Sequence, residues 1–380
     1  MLDWFYMFRQ QSAPGFPWRG IGSTVLVLLS ILLSVPGVTA ASLEIRTLDA
    51  DASGAEIQQA LNGLAGGGEV RLAGGTYRIH EPIILQHDYQ ALSGIGRGTI
   101  LRLDDNANCP VVILGAPGAV RSVGHLRLAD LFIDGNRTHQ RVEFWRAAAD
   151  GSEINNNGIE VRAATDAMIE RVVACHCRSG GLVTSAGTRR LTVREFCSFD
   201  NQFDGLACYL TEDSRFSGLF LHDNLAAGMS FDLSFDHNVI DQAVLSDNDL
   251  GIFMRDSHDN QFSELTIRGS RRHGVFMAQT LAPTKAGWRP APGTECTGNR
   301  FGGVEISECA GKAFLVNDAS CTNNLYLPLD ADTRVAAPKL LDVRNFAPRD
   351  YAASGTSPLQ DGHGVGRQTH SAMADLDSRR

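Results

Sequence analysis

Long apolar runs are scarce in this chain. The longest, from Val25 to Val35, has eleven residues, against the roughly 20 that a permanent bilayer span needs, and no later stretch could span. A basic block is missing too: 34 Lys and Arg are interspersed among 43 Asp and Glu, for a net charge of -9. Phosphate contacts need a basic face, so no nucleic-acid partner is expected. Aromatic residues make up only 7%, and no helical apolar stripe recurs, which argues against a helical bundle. The 43% of apolar residues is enough to build a core, which argues against disorder. Zinc-spaced cysteine pairs are lacking. Cys175-His176-Cys177 is tighter than the usual two to four intervening residues, so no metal site is expected. No cofactor is indicated, and calcium stays open. What the chain does have is 39 glycines, the mark of many short strands and turns.

The first forty residues stand apart. Arg9 and Arg19 precede the Val25–Val35 run, which closes on Pro36-Gly37 and the small residues Val38-Thr39-Ala40-Ala41. This is the pattern of an export signal at 1–40 with cleavage after Ala40. The expected destination is the periplasm or the medium, with membrane attachment only if the segment stays uncleaved. All eight cysteines follow it: Cys109, Cys175, Cys177, Cys197, Cys208, Cys296, Cys309 and Cys321. Export permits disulfides without specifying a pairing; the simpler expectation is small apolar side chains pointing inward.

A repeat governs the middle of the chain. Gly158-Ile-Glu-Val-Arg162, Gly181-Leu-Val-Thr-Ser185, Gly205-Leu-Ala-Cys-Tyr209, Gly228-Met-Ser-Phe-Asp232, Gly251-Ile-Phe-Met-Arg255 and Gly274-Val-Phe-Met-Ala278 recur every 23 or 24 residues. A second strand series, including Phe216–Leu221 and Val239–Leu245, keeps the same beat, and Asp200-Asn201, Asp223-Asn224 and Asp247-Asn248 punctuate it. The leucine-rich frame is absent. Short alternating strands at this period predict an all-β, right-handed parallel β-helix of about nine or ten coils, with the Asn column as a ladder of amides at a turn. Ser53–Leu64 reads as a short N-terminal capping helix with Ile57, Leu61 and Leu64 on one side. The expected organisation is cap and first coils at 41–100, coils at 101–335, and a partly disordered extension at 336–380.

Ala55-x-Ile57-Gln58-x-Ala60 followed by Gly67-Gly68-x-Val70-x-Leu72-x-x-Gly75-x-Tyr77 resembles the opening segment of the pectate-lyase-like superfamily of right-handed parallel β-helices. The resemblance covers roughly residues 45–330 and implies a carbohydrate-acting protein. That superfamily holds lyases, hydrolases, epimerases and non-catalytic adhesins, so fold alone leaves the reaction open.

Alternation then assigns faces. Counting from each glycine, positions +1 and +3 point inward and +2 and +4 outward. Position +4 reads Arg162, Ser185, Tyr209, Asp232, Arg255 and Ala278. Tyr209, Asp232 and Arg255 thus form one exposed row, with His237 and His258 nearby. Two insertions, near 137–157 with Trp145 and near 280–298 with Trp288 and Arg289, enter and leave the same strand and are expected to wall a groove. In uronic-acid chemistry Arg255 would neutralise the sugar carboxylate, a His or Tyr would move the proton, and Asp232 would orient or balance them. Arg162, Trp145, Trp288 and Arg289 are the expected substrate contacts.

The strand Gly251-Ile-Phe-Met-Arg255 is also similar to one in periplasmic mannuronan epimerases. Their preceding Tyr-Gly-x-Asp-Pro-His strand is matched here only at Asp232. The sequence therefore predicts a polysaccharide-acting protein, most simply an enzyme working on an acidic polysaccharide by β-elimination or epimerisation. A glycoside hydrolase using Asp232 and a second carboxylate, and a non-catalytic glycan-binding protein, are the alternatives.

Overall fold

The computed structural model describes residues 44–142, 156–284, 287–290, 292–327 and 339–341, with side chains throughout except at 281–290 and 339–341. The 23-residue beat becomes a right-handed parallel β-helix whose coils feed two long sheets of 15 and 13 strands. In the 13-stranded sheet, Ile83–Leu85, Val112–Leu114, Ile159–Arg162, Leu182–Ser185, Leu206–Glu212, Ala227–Asp236, Leu250–Arg255, Val275–Ala278 and Phe314–Val316 pair in series, each parallel to the next. Register is strict: Ile159, Leu182, Leu206, Met229, Ile252 and Val275 face one another from coil to coil. These six, and the +3 residues Val161, Thr184, Cys208, Phe231, Met254 and Met277, are fully buried. The strand phase read from alternation is correct. Thr184, the one polar member, shares a hydrogen bond with Thr211 inside the core.

The recurrent glycines answer to close approach rather than to backbone sign. A Cβ at Gly181 would stand 1.9 Å from Ser198 Oγ, and at Gly205 2.8 Å from Asn224 Nδ2. The next turn leaves no room for it. Those amides are the expected ladder: Asn201 Nδ2 donates to Asn224 Oδ1 (2.8 Å), and Asn224 Nδ2 to Asn248 Oδ1 (2.9 Å). A second ladder runs through Asn238, Asn260, Asn299 and Asn324, each amide also donating to a backbone carbonyl. Every one of these seven side chains is buried. Asn260→Ala, which strips the acceptor from Asn238 and the donor from the Phe235 carbonyl, is expected to cost about 2–4 kcal/mol in a denaturant titration.

The capping helix is Gly54–Asn62, started by a Ser53/Glu56 capping box. Ile57, Leu61 and Leu64 enter the core. Gln58 binds both the N–H and the C=O of Ile84, which satisfies backbone groups at the first strand of the 13-stranded sheet. At the other end Lys339–Leu341 pairs antiparallel with Asn324–Leu327, so the 336–380 extension begins with a sheet strand. Residues 1–40 and the remainder of that extension lie outside the described residues. Among the described residues no helix is long and apolar enough to cross a membrane.

Candidate functional site

Arg162, Ser185 and Arg255 close their strands just before a corner, and Tyr209 and Asp232 stand before the same corner within the longer strands Leu206–Glu212 and Ala227–Asp236. The residues that follow, Ala163, Ala186, Leu210, Leu233 and Asp256, all adopt left-handed backbone conformations with φ between 43° and 55°. None is glycine, so each corner carries backbone strain that the stacked coils impose. The turn sets Tyr209, Asp232 and Arg255 at the rim of the 13-stranded sheet. Tyr209 pairs with Asp232 in register, and Arg255 follows Met254, the partner of Phe231.

The row is less exposed than alternation alone suggests. Asp232 keeps only 9% of its surface, while Tyr209 and Arg255 are half-buried. Beside Arg255, at position +2, Phe253 and Phe276 stack at 5.5 Å and join Ala227, Leu250, Ala278 and Leu315 in an apolar cluster on the outer face. The Arg255 guanidinium lies over the Phe253 ring at 4.8 Å. Asp232 Oδ1 accepts from Leu233 N–H (2.8 Å) and from Thr280 Oγ (3.0 Å), which sits at the root of the second insertion. Burial raises the Asp232 pKa, and the charge of Arg255 opposes the rise. Burial also pushes the Tyr209 phenol well above its usual range, with Asp204 and Asp232 acting in the same direction, so Tyr209 is a protonated phenol at neutral pH.

One carboxylate here escapes sequence reasoning. Asp204, just before Gly205, is 2% exposed and accepts a single hydrogen bond, from Ala227 N–H at 2.8 Å. Burial, reinforced by Asp249 and countered by that N–H, pushes it up to about 7. Asp249 is itself ion-paired to Arg272 at 2.6 Å. The raised value has a definite sign. Between pH 4 and 7 the folded chain holds a proton at Asp204 that the unfolded chain has released, so this group's contribution to stability falls as pH rises, by about 1.4 kcal/mol per unit. Asp204→Asn is expected to flatten that slope, with its advantage over the parent growing from pH 4 to pH 7.5 in paired melting curves. Glu170 acts in a separate window. Burial raises it, but hydrogen bonds from Arg171, Arg194 and Arg127 outweigh burial and lower it to about 2, so its contribution is lost only as pH falls below 4.5.

The other expected residues are scattered. Arg162 stands three coils from Asp232, about 14 Å away at the usual strand spacing, with its guanidinium gripped by Glu160 at 2.5 and 2.6 Å. His258 lies past the left-handed corner and pairs through Nδ1 with Asp236 at 2.8 Å, which raises its pKa. His237 is exposed, 3.9 Å from Asp259. Neither imidazole is hydrogen-bonded to Asp232, although Asp256 feels the charges of both His258 and Asp232. Trp288 and Arg289 belong to an antiparallel hairpin, Leu281–Thr284 with Gly287–Pro290, inside the second insertion. Trp145 and most of the first insertion fall outside the described residues. No group of metal ligands occurs among the described residues.

No known family profile matches the chain. In sequence it is 29% identical over 181 residues to mannuronan C5-epimerase AlgE4 of Azotobacter vinelandii, a match covering 45% of this chain and 32% of that protein. The chain thus spans about a third of the length of this curated relative. In structure it is similar to the A-module of Azotobacter vinelandii mannuronan C-5 epimerase AlgE6, with TM-score 0.53 and 17% identity over 74% of this chain and 90% of that one. It is also similar to a polygalacturonase from Erwinia carotovora, with TM-score 0.52 and 13% identity over 75% and 83%. The chain has the parallel β-helix fold that the Ala55–Tyr77 segment implied.

Proposed function

We propose that this protein acts on an acidic polysaccharide by removing the proton beside a uronate carboxyl, with epimerisation or β-elimination as the outcome. The observation that carries the proposal is the placement of Tyr209, Asp232 and Arg255 on three successive strands at one rim. Three roles follow from their chemistry. Arg255, held over Phe253, neutralises the sugar carboxylate and stabilises the negative charge that develops when the adjacent C–H loses its proton. Asp232, whose pKa burial raises, is the base. Tyr209, kept protonated, returns a proton to the opposite face of the sugar, giving the epimer, or to the departing glycosidic oxygen, giving an unsaturated uronide. The sequence likeness to a mannuronan C5-epimerase supports this reading, as does the likeness to an epimerase A-module in fold.

In the same reading residues 1–40 direct export, and the polymer is met in the periplasm or the medium. The test is incubation with polymannuronate, polyguluronate and polygalacturonate, following ultraviolet absorbance for unsaturated product and proton NMR for epimerised residues. New reducing ends with neither signal would instead identify a hydrolase, with Asp204 and Asp232 as its two carboxyls.

A further inference from the structure

Two core cysteines stand one above the other at the C-terminal end of the helix. Asn299 and Asn324 are successive rungs of the second ladder, 25 residues apart, and Arg300 pairs with Leu325 in the same register. Cys296 and Cys321 lie three residues before those rungs, so they occupy equivalent positions in adjacent coils. The contacts agree: Cys296 N–H donates to Cys321 Sγ at 3.4 Å, and Asn324 Nδ2 donates to the Cys296 carbonyl at 2.9 Å. Both side chains enter the same core, at 0% and 1% exposure. All eight cysteines are thiols in the structure. Equivalent residues on neighbouring coils are about 4.8 Å apart at Cα, within the 4.4–6.8 Å span that a disulfide bridges.

We infer that Cys296 and Cys321 are a disulfide-forming pair that staples the last coils together. Cys321 is the entering nucleophile. Hydrogen bonds from the Cys296 thiol and backbone N–H favour its thiolate, whereas burial keeps Cys296 a thiol. The oxidant is a small-molecule disulfide such as oxidised glutathione. The Cys321 thiolate attacks one of its sulfurs and expels a glutathione thiolate; Cys296 then attacks Cys321 Sγ and expels the second. One S–S bond forms as another breaks, and the two cysteine protons leave with the two glutathione thiols. Burial of both sulfurs sets the time of reaction at folding, or at opening of the terminal coil.

The position of the pair gives the cross-link a purpose. Ser320 Oγ and Asp318 Oδ2, in the turn that leads into Cys321, bind the Gln279 side chain and backbone N–H at 3.0 Å each. Gln279 precedes Thr280, the donor to Asp232. The staple therefore fastens the turn that anchors the root of the second insertion beside the row. Neither cysteine hydrogen-bonds Asp232, and the inference stands whatever reaction the row performs.

The experiment uses the full chain, incubated with oxidised glutathione, unfolded in denaturant, alkylated, digested and analysed by mass spectrometry. A linked peptide containing Cys296 and Cys321, with the other six cysteines alkylated, is the expected result. In addition, oxidation should raise the melting temperature of the parent by roughly 5–10 °C and leave Cys321→Ser unchanged. Alkylation of all eight thiols, or a linked peptide joining any other pair, would overturn the inference. Should Cys321→Ser fail to fold, the peptide map of the parent still decides.

Discussion

Arg255→Ala is expected to lower kcat/KM on a uronate polymer by about 100- to 1,000-fold, the usual loss when one fixed donor to a developing oxyanion is removed. Tyr209→Phe should cost about 100- to 10,000-fold, because it removes the proton donor while keeping the ring and its packing. The two variants separate chemistry from folding. Tyr209→Phe keeps the ring but removes the hydrogen bond between the phenol and the buried Ser230, so it should cost only about 1 kcal/mol of stability. Arg255→Ala leaves the nine-tenths buried Asp232 without its neutralising charge, so some loss of stability accompanies the loss of rate. Arg255→Lys, which restores a charge without the planar fork, should recover stability more than turnover. Equal turnover by Tyr209→Phe and the parent would remove Tyr209 from the mechanism.

Phe231→Ala carries the largest expected stability loss, about 3–5 kcal/mol in a denaturant titration. Phe231 is fully buried, stacks on Phe235 with ring centroids 4.0 Å apart, and leans on Phe262 at 6.0 Å. Truncation therefore opens a void between both sheets, and the coils above and below cannot close it without breaking strand register. Because neighbouring coils share this core, the damage should extend beyond one repeat. A variant that melts with the parent would contradict the assigned strand phase, and with it the outward placement of Asp232.

Much of the fold was legible because a solenoid writes one rule many times. The glycine series set the coil length, alternation set the phase, and both agree with the buried columns from Ile159 to Met277. The second Asn ladder was hidden because the insertion between Asn260 and Asn299 breaks its spacing. The burial of the row was hidden for another reason. Phe253 and Phe276 at +2 look like ordinary outward residues until they stack, with Arg255 over the Phe253 ring, and Thr280, which binds Asp232, lies in an insertion that breaks the repeat. The left-handed corners carry Ala, Leu and Asp where a glycine would have announced them, so the directions of His237 and His258 could not be followed past the turn. Asp204 breaks no pattern in sequence, since its counterparts Asn157, Gly180, Ala227, Leu250 and His273 are of mixed polarity. Only the burial it shares with Ala227 and Leu250 turns a carboxylate there into a group that titrates near neutrality.

Proton removal beside the uronate carboxyl is common to epimerisation and elimination: in heavy water the first leaves deuterium at C5 and the second leaves a double bond there. The decisive measurement is NMR of a polyuronate after incubation with the protein in heavy water. Deuterium at C5 of the sugar, or an unsaturated residue in its place, is the result expected of the parent, and both should vanish in Arg255→Ala. A polymer that is bound or cleaved while every C5 keeps its proton would contradict the account.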